Sequence, residues 1–151
     1  MKKLFFTAIV LLLNVNSFSV QAQNCDAPAG PFVNWSGCDK RFANLYSANL
    51  TNANLINANL YYSNLIYANL TGADLTSADL TEVDMSGAIL TNADLSGAIL
   101  DYAILEYASL NNATLTNANL SGAKLTGANL TAANLSYAYV GLQYASLGIA
   151  T

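Results

Sequence analysis

Histidine is absent from this chain of 151 residues, cysteine and proline occur twice each, and only 9% of the residues are charged. Without His there is no ordinary general base at neutral pH, and Ser-His-Asp or Cys-His catalysis is excluded. Two Cys alone do not make a structural zinc site. Five basic residues stand against nine acidic ones, a net charge of −4, which argues against binding nucleic-acid phosphates. Long apolar runs are also lacking. The longest, Leu4 to Leu13 with Thr7 inside it, has 10 residues, against about 20 for a membrane span. No glycine-rich phosphate loop is present. The composition therefore points to no enzyme, cofactor, metal centre or membrane span, in a length that suits one domain.

The first 22 residues read as a secretory signal peptide: Lys2 and Lys3, the apolar run, then Val20-Gln21-Ala22 before a cut. The competing reading is a buried N-terminal element. Cys25 follows Gln23-Asn24, which does not resemble a lipoprotein acylation site. Export to the bacterial periplasm or the extracellular medium is the expectation. Removal of residues 1–22 leaves 129 residues, with Lys40, Arg41 and Lys124 against nine acids, a net charge of −6. In an oxidising compartment Cys25 and Cys38 can pair, and closing such a loop stabilises by about 3 kcal/mol on the chain-entropy account.

What the chain does have is a five-residue repeat: Ala43-Asn44-Leu45, Ala48-Asn49-Leu50, Ala53-Asn54-Leu55 and onward. With the Leu position called i, 20 repeats run without a slip from Leu45 to Val140. Position i is Leu in 18, with Met85 and Val140 the exceptions; position i−2 is Ala in 18, with Ser63 and Val83 the exceptions. The phase extends backward through Val33-Asn34-Trp35-Ser36-Gly37, and more loosely through residues 38–42, where Lys40 occupies i. Five residues of helix turn about 500°, a net of about 140°, which scatters the Leu residues around the cylinder. A continuous strand alternates them between faces. One solution keeps every Leu inside: a short extended piece with i−2 and i inward, then a corner. Four corners close a square coil of about 20 residues, and coils stack about 4.8 Å apart through strand-type hydrogen bonds. Thr, Ser, Asn and Gly crowd i+1 and i+2, as corners require.

The A-(N/D)-L-x-x array over residues 43–142 resembles the pentapeptide repeat family, and Pro31 to Cys38 resembles the lead-in before such arrays in exported members. The resemblance implies an all-β, right-handed quadrilateral β-helix, here of about five to six coils. It implies no common enzymatic activity. A subset of the family mimics DNA and binds gyrase. The expected organisation is a signal peptide (1–22), an N-terminal cap with a Cys25–Cys38 disulfide (23–42), the solenoid (43–142) and a slipped repeat at the C-terminal end (143–151). Trp35 and the disulfide loop are expected to plug the N-terminal mouth. The phase breaks after Leu142, so tail-to-tail homodimerisation through Tyr139, Leu142, Tyr144, Leu147 and Ile149 is one expectation; a folded-back cap is the other.

Only outward positions can give such a solenoid an individual function. Residues 20 apart share a column. Two adjacent faces collect Tyr46, Tyr61, Tyr62, Tyr67, Tyr102 and Tyr107 with Glu82, Asp84, Asp101 and Glu106, while the other two carry mostly Thr with Asp74, Asp79 and Asp94. The candidate partner-binding face is therefore Tyr61, Tyr62, Tyr67, Glu82, Asp84, Asp101, Tyr102, Glu106 and Tyr107, for a protein or glycan partner; tyrosine that merely covers corners is the plainer reading. Tyr62 and Tyr102 are expected to flank Glu82, and Tyr67 and Tyr107 to flank Gly87, as grooves. Asp74 and Asp94, stacked in one column, either stand solvated or share a cation. The leading functional reading is an exported, non-enzymatic structural or protein-interaction module. A DNA-mimicking topoisomerase binder and a cation- or glycan-binding surface protein are the alternatives. The first is opposed by the export signal and by the Asn-rich i−1 positions, and nucleic acid itself is not an expected partner.

Overall fold

The computed structural model describes residues 23–141. The expected signal peptide and Leu142, Tyr144, Leu147 and Ile149 of the expected dimer end lie outside the described residues. Each pentapeptide behaves alike. Position i−1 makes a parallel bridge to the residue 20 further on, as in Asn54↔Asp74, Asp74↔Asp94 and Asp94↔Thr114. The bridges fall into four columns, those of Asn34, Asp39, Asn44 and Asn49. The molecule is thus a four-sided parallel β-solenoid with a 20-residue coil and no helix among the described residues. The pattern begins at Pro31, so residues 31–42, expected as part of the cap, have coil geometry.

The interior holds the side chains of i−2 and i. From Leu50 to Leu125 every i residue is at most 1% exposed. Each Leu so buried stabilises by about 1.5–3 kcal/mol relative to exposure. The backbone is satisfied just as fully. In the unit Ala73 to Ser77, Ala73 N–H closes a turn onto Leu70 C=O (3.0 Å), and Asp74 N–H reaches back one coil to Ala53 C=O (2.9 Å). Leu75 and Ser77 N–H reach forward one coil to Asp94 and Ser96 C=O (2.7 and 2.9 Å). The remaining donor, Thr76 N–H, bonds to Oδ1 of Asp74 (3.0 Å). All five donors have acceptors, which is what a buried solenoid wall demands. The Asn/Asp at i−1 is therefore a turn-forming acceptor, the Asx arrangement.

Every i+2 residue from Phe32 to Tyr137 has positive φ, between 53° and 70°, with glycine at six of these positions. Asn and Gly suit this left-handed region; tyrosine and phenylalanine do not, costing about 1–2 kcal/mol. Yet Phe32, Phe42, Tyr62, Tyr67, Tyr102, Tyr107 and Tyr137 all adopt it. Three of these rings have a particular seat. A Cβ built on Gly87 would stand 2.5 Å from Cε1 of Tyr67, one on Gly122 2.5 Å from Cδ1 of Tyr102, and one on Gly127 2.6 Å from Cδ1 of Tyr107. Each ring leans forward one coil and lies on the glycine 20 residues later.

The N-terminal mouth is closed. Cys25 and Cys38 form a disulfide, and the buried Trp35 donates its Nε1–H to Ala27 C=O (3.1 Å). Lys40, at an interior position, places Nζ 3.9 Å from the centroid of the Trp35 ring and donates to Cys25 C=O. A cation is tolerated there because its stem covers the end of the core while its head reaches the cap. Hydrogen bonds from Arg41 hold the Asp39 carboxyl down at about 2, but both groups are exposed and the pair contributes little to stability. At the other end Leu130, Leu135 and Val140 are only half-buried, and Tyr137 and Tyr139 are exposed.

The two departures from Ala at i−2 sit one above the other. Ser63 lies one coil below Val83, which is fully buried. The Oγ of Ser63 is buried without a hydrogen-bond partner. Ser63→Ala is expected to stabilise by about 1 kcal/mol, read as a raised thermal midpoint; an unchanged or lowered midpoint would show that the hydroxyl is satisfied. Gly97, whose added Cβ would meet Ser77 Oγ at 3.5 Å, gives the reference for the ring seats. Gly97→Ala should cost only the left-handed backbone, about 1–2 kcal/mol, and Gly87→Ala about 1 kcal/mol more. In a Tyr67→Ser background that excess should vanish, and its persistence would contradict the seat.

Candidate interaction surface

The side formed by residues 43–45, 63–65, 83–85, 103–105 and 123–125 turns Asn44, Asn64, Asp84, Ile104 and Lys124 outward, as one bridged column. The corner preceding it carries Phe42, Tyr61, Tyr62, Glu82, Asp101 and Tyr102. The corner following it carries Tyr46, Ile66, Tyr67, Gly87, Glu106 and Tyr107. All six in-register tyrosines that were assigned to two faces from the sequence thus border this one side.

The rings at its N-terminal part touch one another. Phe42 packs edge-on against Tyr61 (centroids 5.7 Å apart) and tilted against Tyr62 (6.0 Å), and Tyr61 meets Tyr62 at 5.7 Å. Across the side, Tyr46 and Tyr67 meet edge-on at 5.9 Å. Phe42 belongs to this cluster and was missed as a candidate, although it shares a column with Tyr62 and Tyr102. Tyr61 is half-buried under its neighbours, whereas Tyr62, Tyr67, Tyr102 and Tyr107 remain 55–72% exposed.

The two expected grooves fare differently. Between Tyr67 and Tyr107 the Tyr67 ring itself lies over Gly87 and takes up the space beside it. Between Tyr62 and Tyr102 an open groove of about 370 Å³ is present, lined also by Asn64, Ile66, Glu82, Asp84 and Ile104. Tyr62 has Glu82 rather than glycine above it, and Tyr102 leans away onto Gly122, so the coil of Glu82 is left uncovered.

The charges of this surface are unpaired. The one ion pair among the described residues is Arg41–Asp39. Asp84 uses Oδ1 to accept from Ser86 N–H (3.0 Å) and Ser86 Oγ (2.6 Å). Asp101 has a buried Oδ1 with no hydrogen-bond partner. The carboxylates of Glu82 and Glu106 form no ion pair among the described residues. On the far sides Asp74 and Asp94 are bridged neighbours, and their Oδ1 atoms accept from Thr76 N–H and from Ser96 N–H and Oγ. Among the described residues no three His, Cys, Asp or Glu side chains are placed to hold a metal ion. A second hollow of about 550 Å³ lies at the cap, between Gln23, Asn24 and the Pro28–Val33 segment, without an ionisable side chain. No helix among the described residues is long and apolar enough to cross a membrane.

The Pentapeptide repeats family profile matches residues 38–76, 78–117 and 115–140, in eight copies. A pentapeptide repeat protein of the Arabidopsis thaliana thylakoid lumen is 27% identical over 59% of this chain and 57% of its own, with a TM-score of 0.47. Rfr23 of the cyanobacterium Cyanothece 51142 is 34% identical over 74% of this chain and 89% of its own, with a TM-score of 0.37. HetL of Nostoc sp. strain PCC 7120, a protein involved in heterocyst differentiation regulation, is 28% identical over 82% of this chain and 73% of its own, with a TM-score of 0.38. Comparison with curated proteins finds no match. With a repeat profile that spans most of the described coils, and with bridges every 20 residues, the chain belongs to the pentapeptide repeat family.

Proposed function

We propose that this chain is an exported, non-catalytic solenoid of right-handed winding that presents its tyrosine-bordered side to a protein partner. The observation that carries the reading is the position of those tyrosines. Tyr62, Tyr67, Tyr102 and Tyr107 stand at left-handed corners, where Asn, Gly or Ser would cost less, and all four are on one side of four. Three of the rings also cover glycines, but Tyr62 covers none, and all four leave more than half of their surface in solvent. Tyrosine joins a large apolar ring to a hydroxyl that tolerates water, which suits a binding surface. Export is supported by the three-part pattern of residues 1–22 and by the Cys25–Cys38 disulfide. A DNA-mimicking role is disfavoured by the scarcity of acids at i−1, where only Asp74, Asp79, Asp84 and Asp94 among the 20 repeats carry a charge of that sign.

The test has two parts. Cell fractionation should find the chain outside the cytoplasm, without residues 1–22. Affinity capture from that compartment should then compare the native chain with the Tyr62→Ser, Tyr67→Ser, Tyr102→Ser, Tyr107→Ser variant. Ser already occupies this corner position at Ser47 and Ser77, so the coil can accept it. The expected result is loss of the captured protein with the tyrosine variant and retention with an Asp74→Asn, Asp94→Asn control. Equal capture by both variants would overturn the assignment of the face.

A further inference from the structure

We propose that the groove between Tyr62 and Tyr102 receives an arginine side chain of an extended peptide; this rests on the tyrosine-bordered side being the binding face. The argument starts with charge. Glu82 and Asp84 line the groove, Asp101 lies on the same corner with one carboxylate oxygen buried and unbonded, and none of the three has an ion pair among the described residues. The chain cannot supply the counter-charge nearby, since no Lys or Arg occurs from residue 42 to residue 123. Lys124, the next cation on this side, is two coils above Asp84, about 9.6 Å away along the column.

The walls add geometry to the charge. Tyr62 and Tyr102 are 55% and 56% exposed and stand two coils apart, about 9.6 Å, on either side of Glu82. A flat cationic group fits between them and can lie on a tyrosine face while facing the carboxylates. Arginine suits this better than lysine, because its guanidinium is planar, stacks on aromatic rings and meets a carboxylate in bidentate fashion. Ile66 and Ile104, which also line the groove, provide apolar surface for the side chain's methylene stem. The backbone of this side is already engaged coil to coil: Leu65 N–H bonds Asp84 C=O (2.7 Å) and Asp84 N–H bonds Ser63 C=O (3.1 Å). A peptide therefore cannot add as a further strand here, and recognition passes through side chains. A neutral sugar could stack on the same rings but would leave the carboxylates without a counter-charge.

The experiment is an NMR titration of the whole purified chain, at low and then physiological salt, with acetyl-Gly-Gly-Arg-Gly-Gly-amide. The citrulline and lysine counterparts and maltotriose are the companion probes. The expected result is shifts confined to amides of residues 62–64, 82–84 and 102–104 with the arginine peptide, weaker ones with lysine and none with citrulline. Glu82→Gln should weaken binding about threefold, the weight of one partly exposed ion pair, and Asp74→Asn with Asp94→Asn should leave it unchanged. Equal binding of the citrulline peptide, shifts spread equally over Asp74, Asp79 and Asp94, or no shift at all would overturn the proposal. Maltotriose shifts at the same amides, lost in Tyr102→Ser but kept in Glu82→Gln, would overturn the cationic occupant and leave the binding face standing. Equal capture of partner by native and tyrosine-variant chains, in the preceding test, would remove the face itself.

Discussion

The architecture depends on keeping one leucine in every five residues dry while leaving no backbone donor unpaired. Neither helix nor continuous strand does both at that period. The square coil does, with a three-residue side and a two-residue corner. The corner then shapes the rest of the unit: a left-handed residue at i+2, in 13 of the 20 units an Asn or Asp at i−1, whose oxygen can receive the i+1 amide as Asp74 does for Thr76, and a small residue at i−2. Because coil-to-coil hydrogen bonds run along every side, the flanks offer partners side chains only. Open backbone belongs to the ends, and the N-terminal end is shut by Trp35, Lys40 and the disulfide.

Much of this was legible in the sequence because the period is unambiguous and the interior is repetitive. The phase of the repeat, the four columns and the gathering of six tyrosines on one flank all follow from counting in fives and twenties. The start of the solenoid was harder to read. Lys40 at an interior position looked like a break in the pattern, and it is accommodated only because a terminal coil lets its ammonium group leave the core toward Trp35 and Cys25. The lean of the rings was not legible at all. Column arithmetic places Tyr67 and Gly87 together but does not say which way a side chain falls, so a gap was expected where the ring itself lies. The signal that could have found it was present: three of the tyrosines at i+2 have glycine 20 residues later. Likewise Ser63 registered as an exception to Ala, but its unbonded hydroxyl is a matter of neighbours that no period reveals.

The bordered side combines two features that rarely arise from packing alone. Its carboxylates have no cations of their own, and its aromatic rings stand in backbone conformations that disfavour them. Buried strain is ordinary where a core compels it, but these residues face solvent, and the core beneath them is the Ala and Leu of the other sides except at Ser63, Val83 and Met85, which all lie on this side. The cost of the aromatic corners is borne by a scaffold whose stability comes from elsewhere.

The seating of each tyrosine on a later glycine gives the solenoid two different rulers. Its interior recognises only the pentad, so loss or duplication of a single pentad would leave every leucine enclosed. Its exterior is registered by the full turn. Removing one pentad between Tyr67 and Gly87 would set the ring against residue 92, an asparagine, and would slide every later corner a quarter-turn around the shaft, moving Tyr102 out of the column of Tyr62. Such an array can lengthen or shorten by fives and still fold, but it inherits its surface pattern intact only when it changes by twenties.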